Sequence, residues 1–432
     1  MTEGAGATVM ATARRSSHPP LTPIGGKRHQ IEPGRATRLF RETSSDCAGD
    51  MLREVDRCEY ASISDQGESP EPVNRVRQIG MTSSLCACVV AILLVAALGT
   101  AGAQSVSPAP RDAARAGLVP DSALLADAYA RARDLPRLRS LLVHWRGSLI
   151  REHYFRGATR AQPANIKSAS KSIIASLVGI AIARREIRSV HQPIVELLPE
   201  LARDPDPRKR AITVEDLLTM RSGLQSTSFE NYGAWVTSRN WVRDALRRPL
   251  VAEPGGEMIY STGSTHLLSA ILTRVTRMST HAYAQRVLAR PLGIPLRPWT
   301  RDPQGIYFGG NEMRMTPREM VAFGVLHLRG GRAPNGAQVI AKAWIDSAWV
   351  RRTRSGWSGQ EYGYGWWIRR SGAHDVYFAW GYGGQFIVVV PALDLVVVTT
   401  SNSNATMRER GHLEAIYSIL DSAIVPAVDT PR

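Results

Sequence analysis

Strand-like segments lie toward both ends of the chain, with helical patterning between, and this distribution restricts the fold more than any other feature. Residues 138–145 and 149–155 read as strands joined by the turn Arg146-Gly147-Ser148, an antiparallel hairpin. Four further strands are expected at 365–370, 374–380, 385–390 and 395–400, followed by a helix over about 407–420. Between them, Thr213-Val214-Glu215-Asp216 and Thr316-Pro317-Arg318-Glu319 each open a helix with an N-cap threonine and an acidic residue three positions later. Glu215, Asp216 and Glu319 are therefore read as caps and dipole partners rather than catalytic acids. The economical architecture is α+β: one antiparallel sheet built from both chain ends, flanked by helices and joined to a mostly helical middle region.

The 432 residues hold 44% apolar and 21% charged residues, ordinary values for a globular chain. The net charge of +16 comes almost wholly from scattered arginine, with no basic block and no aromatic-glycine pattern of an RNA-binding sheet, so no nucleic-acid partner is expected. Cys47, Cys58, Cys86 and Cys88 all precede residue 89, which leaves the folded part without disulfides, thiolate metal ligands or a cysteine nucleophile. No His-x-His or His-Glu-x-x-His spacing occurs, and neither a metal nor a diffusible cofactor is expected.

Residues 1–72 are rich in Arg, Ser, Gly and Pro and read as a disordered or mis-annotated extension. Residues 73–103 read as a secretory signal peptide: Arg75 and Arg77, an apolar run from Cys86 to Leu98, and a small-residue exit at Ala101-Gly102-Ala103. The natural start is then expected near Val73 or Met81, and the mature protein periplasmic or secreted, without stable membrane insertion. An N-terminal membrane anchor is the alternative, although the apolar core is short for a spanning helix. A linker and first helix are expected over 104–135, and 136–432 is expected to form the main folded domain.

Only five lysines occur in the chain, and Lys171 alone stands three residues after a serine, at the head of the apolar stretch Ser168-Ala169-Ser170-Lys171-Ser172-Ile173-Ile174. One helical turn separates Ser168 from Lys171, so an amine comes within reach of a hydroxyl that needs a partner to attack a carbonyl. The helix expected from 168 to 184 is apolar on nearly every side, as a buried helix is. A second element, Glu253 to Gly263, carries Tyr260 on a Pro/Gly-bounded segment before an apolar helix; a phenol beside a lysine can relay a proton. A third, Ala379-Trp380-Gly381-Tyr382-Gly383-Gly384-Gln385, is a Gly-rich strand corner where backbone N–H groups approach a substrate, and the amides of Gln385 and Ser168 are the expected oxyanion donors.

Ser-x-x-Lys, Tyr-Ser-x and a Gly-rich strand corner, in this order, resemble the serine β-lactamase and penicillin-binding superfamily. The likeness is closest to class C β-lactamase-related serine hydrolases, which include family VIII esterases and aminohexanoate-oligomer hydrolases. It spans most of 136–422 and includes Thr213 to Leu224, Pro254-Gly255 before Tyr260, and the block from Asp302-Pro303-Gln304-Gly305 to Gly309-Gly310. The resemblance implies a β-lactamase/transpeptidase-like fold, with Ser168 as the acylated nucleophile, Lys171 as its activating partner and Tyr260 as proton relay or base. The division of the base role between Lys171 and Tyr260 stays open.

Two departures bear on substrate. Tyr260-Ser261-Thr262 stands where Tyr-x-Asn is usual, removing an amide able to bind a substrate carbonyl or the lysine. Tyr382-Gly383-Gly384 stands where β-lactamases carry Lys-Thr-Gly, so the cation and hydroxyl that hold a β-lactam carboxylate are missing. A small ester or linear amide is the expected substrate. Tyr232 and Trp235 lie where related enzymes carry a mobile loop and are weak substrate-contact candidates, and His266 is expected to make a satisfied hydrogen bond near the site rather than act as general base. A cell-wall or D-amino-acid peptidase, a weak β-lactamase, and a non-catalytic binding or sensor protein on the same scaffold are the alternative readings. No Gly-x-Ser-x-Gly elbow occurs, which argues against an α/β-hydrolase.

Overall fold

The computed structural model describes residues 118–403 and 411–429. The extension (1–72), the signal segment (73–103), most of the linker and positions 407–410 of the expected last helix lie outside the described residues. Within them, α1 (Ser122–Asp134) is capped by Asp121, whose carboxylate accepts from the Ala123 and Leu124 amides. The hairpin β1 (Leu138–Trp145) and β2 (Ser148–Tyr154) forms where alternation predicts it. The short strand β3 (Ala164–Asn165) precedes α2 (Ser170–Ala183). The middle region contributes α3 (Val214–Leu218) and α4 (Thr262–Thr276), then β4 (Arg314–Met315) and α5 (Pro317–Leu328). Two short strands, β5 (Thr353–Arg354) and β6 (Glu361–Tyr362), precede β7 (Trp367–Ser371), β8 (His374–Gly381), β9 (Gln385–Val390) and β10 (Leu395–Ser401). The last part is α6 (His412–Ile419), continued helically to Asp429.

The eight-stranded antiparallel sheet runs in the order β2-β1-β10-β9-β8-β7-β6-β5, so β1 pairs with β10 and strands from the two ends of the described region lie side by side. The two-residue period sorts the sheet between two cores. Leu395 and Val397 of β10, with Phe386 and Val388 of β9, face the layer of α1 and α6, while Val396, Val398, Ile387 and Val389 face the layer of α2 and α5. Strands buried on both faces explain the near-continuous apolar runs of β9 and β10. The strands β5 and β6 escape sequence recognition because two residues carry no period.

Both expected capping boxes are present: Thr213 with Asp216, and Thr316 with Glu319. Each such cap is worth about 1 kcal/mol. Glu215, in the first turn of α3 as expected of a dipole partner, also pairs with Arg352 at 3.1 Å and accepts from the Tyr364 hydroxyl, tying α3 to the strand region. No described helix is long and apolar enough to cross a membrane.

Helix α2 is buried through Ala181, consistent with its lack of a polar face. On α5, His327 joins it to α2: its Nδ1 donates to the Phe323 carbonyl at 3.0 Å and its Nε2 stands 3.2 Å from Ser176 Oγ. Burial pushes the His327 pKa from 6.5 down to about 4. The unfolded chain therefore binds the extra proton first as pH falls, so this stabilisation is complete above pH 6.5 and is lost toward pH 4. The loss amounts to about 3 kcal/mol. Urea unfolding at pH 7.5 and pH 4.5 should show a drop that is reduced by about that amount in His327→Asn; an equal drop in both proteins would remove His327 from the acid sensitivity.

Candidate active site

The chain enters the site through a turn made to bend sharply. Lys167 has φ +51°, a left-handed conformation costly for a residue with a side chain. Three bonds hold it there: Lys167 Nζ to Glu312 Oε1 at 3.1 Å, Asn165 Nδ2 to Glu312 Oε2 at 2.7 Å, and the Lys167 amide to Asn165 Oδ1 at 3.0 Å. The β3–β4 pairing and the Ile166 amide on the Met313 carbonyl fasten the same two segments. Ser168 lies in the tight turn Lys167–Ala169, just ahead of α2 rather than inside it.

One turn later Lys171 is only 2% exposed, so its amine works where a charge is costly unless hydrogen-bonded. Its Nζ lies 2.9 Å from Ser168 Oγ, 3.2 Å from Thr262 Oγ1 and 2.9 Å from the Gly310 carbonyl oxygen. Thr262 opens α4 and is set by Ser228, whose Oγ accepts from the Thr262 amide at 2.9 Å and lies 2.9 Å from its hydroxyl. The threonine in place of asparagine thus keeps a polar contact with the lysine, which corrects the expectation that this position had lost it. Gly310 is required for the same reason: a Cβ there would lie 2.3 Å from Thr265 Oγ1 and 3.3 Å from Lys171 Nζ.

Tyr260 joins Ser168 and Lys171 in space. Its ring centroid is 5.0 Å from Lys171 Nζ, within cation-π range. The ring is embedded among Phe229, Trp357 and Trp367 at 5.8 to 6.3 Å between centroids, and Trp380 packs on Trp357 and Trp367. This aromatic wall around Tyr260 was not foreseen, since its members are dispersed along the chain.

Peptide geometry at the third element reassigns the backbone donor. The Gly384 amide donates to the Gly381 carbonyl at 3.3 Å, so that carbonyl points into the β8–β9 hairpin. In a trans peptide the following N–H points the opposite way, which turns the Tyr382 N–H outward from β9. On that side β7 pairs only as far as Phe378, leaving the end of β8 open among the described residues. Gly381 also packs directly on the nucleophile turn, a Cβ at that position falling 2.0 Å from the Ile166 carbonyl oxygen. The Gly384 carbonyl instead accepts from Thr399 Oγ1 at 2.9 Å and Ser401 Oγ at 3.2 Å, toward β10, so the Gln385 N–H points into the hairpin. Gln385 is therefore a poor oxyanion donor. Its fully buried side chain clamps the main chain of Ser401, with Nε2 to the carbonyl at 2.8 Å and the Ser401 amide to Oε1 at 3.0 Å. Gly383 and Gly384 shape the corner with φ of +79° and +98°.

The mobile-loop candidates are buried instead. Trp235 is fully enclosed, donates to the Trp241 carbonyl at 3.0 Å, and is a core residue. Tyr232 is 3% exposed and its hydroxyl accepts from Asn311 Nδ2 at 2.9 Å, beside the residue whose carbonyl holds the lysine. His266 meets expectation: Nε2 lies 3.1 Å from Asp302 Oδ2 and Nδ1 accepts from the Gly309 amide at 3.3 Å. Sequence reasoning passed over Thr262, Gly310, Asn311 and Asp302 as site residues, although the stretch from Asp302 to Gly310 stood out as a block. No group of three or more His, Cys, Asp or Glu among the described residues could hold a metal ion.

The β-lactamase family model matches residues 140–420. A 6-aminohexanoate-dimer hydrolase of Paenarthrobacter ureafaciens is 25% identical over 287 residues, covering 60% of this chain and 71% of that protein. Among solved structures, a class C β-lactamase from Rhodobacter sphaeroides superposes with TM-score 0.54 at 20% identity, covering 70% of this chain and 100% of that one. A penicillin-binding protein homologue from Pyrococcus abyssi gives TM-score 0.55 at 18% identity over 70% and 76% of the two chains. The chain belongs to the β-lactamase family and has its hydrolase fold, an antiparallel sheet packed between helices.

Proposed function

We propose that this protein is an exported serine hydrolase that cleaves esters or small linear amides through an acyl-enzyme on Ser168. The observation that carries this reading is the 2.9 Å contact between Lys171 Nζ and Ser168 Oγ, made by an amine already anchored to the Gly310 carbonyl. A carbonyl only accepts, so one N–H of a neutral Lys171 is committed to Gly310 and the amine's rotation is restricted. The lone pair can then take the Ser168 proton as Oγ attacks the substrate carbonyl carbon.

The oxyanion of the tetrahedral intermediate is held by the Ser168 and Tyr382 amides. On collapse the C–O or C–N bond breaks, and the leaving alkoxide or amine takes the proton held by Lys171, with Tyr260 adjacent as relay. Water then attacks the acyl-enzyme, giving up a proton to Lys171, and its collapse returns that proton to Ser168 and frees the acid. Export rests on the sequence of 73–103.

Substrate choice follows from the corner and its neighbours. Tyr382-Gly383-Gly384 supplies neither the lysine cation nor the threonine hydroxyl that bind a β-lactam carboxylate, and the aromatic wall around Tyr260 favours apolar substituents. The name of the Paenarthrobacter ureafaciens relative denotes hydrolysis of a linear amide, which supports that bond class.

Intact mass after fluorophosphonate treatment should show one adduct on the protein and none on Ser168→Ala, with p-nitrophenyl acetate turned over faster than a chromogenic cephalosporin. Lys171→Met should lower acylation by about 10²- to 10⁴-fold. An unlabelled native protein without ester turnover would return the non-catalytic reading to first place. The oxyanion assignment has a separate check, because proline suits the second position of a tight turn and lacks an N–H. Tyr382→Pro should reduce kcat by about 10²- to 10³-fold while Tyr382→Ala stays near the native rate; equal rates in the two variants would exclude this amide.

A further inference from the structure

The segment Gly309-Gly310 is the least self-supporting part of the lysine's environment, since glycine offers no side chain to fix it. What holds it is a buried pair. His266 and Asp302 side chains are both 0% exposed. Because the Gly309 N–H donates to Nδ1, that nitrogen carries the lone pair, and the proton on Nε2 faces Asp302 Oδ2. Asp302 is itself oriented, its Oδ1 accepting from the Gln304 amide at 2.9 Å and the Ile306 amide at 2.8 Å. The ring is walled by Trp235, Trp241 and Phe308 at 5.4 to 5.9 Å between centroids. Such a histidine cannot reach a substrate, yet its tautomer is imposed at one end and used at the other.

The arrangement lies on one helical face. Thr262 and His266 are four residues apart on α4; the first touches Lys171 directly, and the second touches the amide of the residue before Gly310, whose carbonyl meets Lys171. A Cβ on Gly309 would fall 2.1 Å from the Thr265 carbonyl oxygen, so the loop is pressed onto the helix and a slip at Gly309 is transmitted to Gly310.

We infer that His266 and Asp302 are positioning residues for the base: Asp302 fixes the His266 tautomer, His266 fixes Gly309, and the Gly310 carbonyl thereby sets the direction of the Lys171 amine. The inference rests on the acyl-enzyme reading for its effect on rate, but the geometry it asserts can be read without turnover.

Two variants of the full chain separate this role from simple packing. Asp302→Asn keeps the shape and the Oδ1 acceptor, but its amide donates to Nε2 and drives the proton to Nδ1, against the Gly309 N–H. His266→Asn places a side-chain oxygen near the former Nδ1, retaining an acceptor for Gly309 while abandoning Asp302. With active sites counted by fluorophosphonate, Asp302→Asn should lower kcat by about 10²-fold with KM little changed. His266→Asn should remain within about 5-fold of the native rate even though Asp302 Oδ2, buried without its histidine partner, lowers the melting temperature.

The Nζ resonance of Lys171, resolvable among five lysines, supplies the readout independent of activity. Loss of the carbonyl acceptor disfavours the charged amine, so Asp302→Asn should move the Lys171 titration to lower pH and His266→Asn should leave it in place. Tyr260, Ser168, Thr262 and the Lys167–Glu312 pair are the same in both variants. An unchanged Lys171 titration in Asp302→Asn, or the same loss of kcat per site in both variants, overturns the inference. If the native protein takes no fluorophosphonate, the hydrolase reading fails on its own and the titration alone decides the positioning.

Discussion

A primary amine held at 2% exposure is the constraint around which this structure is arranged. An amine in that setting must be hydrogen-bonded, and α2 has no polar face to do it. The acceptors come from three separate stretches: Ser168 before the helix, Thr262 at the start of α4, and the Gly310 carbonyl from the segment leading to β4. Each stretch pays for its approach with a local constraint, namely Lys167 in a left-handed conformation, Ser228 on the Thr262 amide, and adjacent glycines at 309 and 310. Burial of one side chain thus explains features spread over more than a hundred residues.

The sheet contributes the other half of the site through its edge. Strand β8 is paired with β9 from Tyr377 to Gly381 and with β7 from His374 to Phe378, and its last residue, Gly381, lies against the turn that carries Ser168. Planarity of the peptide then decides which amides face outward, with no freedom left to side chains. Anchoring of Gln385 to Ser401 keeps β9 and β10 in register behind that corner. Rigidity at the back of the corner and the aromatic wall beside Tyr260 are thus set by separate parts of the fold.

Much of this was legible in the residues. The strands of the central sheet, the buried helix after Ser168, the two capping boxes, the order of Ser168, Lys171 and Tyr260 along the chain, and His266 as a satisfied buried histidine all follow from periodicity, spacing and resemblance. What misled was local inspection of long-range roles. Trp235 sits in a stretch compatible with a mobile loop but is core, because Trp241, Phe308 and His266 close around it. Thr262 read as a loss relative to asparagine, although a hydroxyl at the start of α4 still reaches the amine.

By itself the sequence determined the longer strands, the helical turn that separates Ser168 from Lys171, and the glycines on which the corner and the Gly309-Gly310 segment depend. These are properties of a few neighbouring residues, set by backbone sterics and side-chain spacing. Tertiary structure alone decided that Gly310 supplies the lysine's carbonyl, that Tyr382 rather than Gln385 turns its N–H to the open edge, and that Asp302 orients His266. Those outcomes depend on which carbonyl accepts from which donor across the fold, and a hydrogen bond between distant segments leaves no periodic trace in the chain.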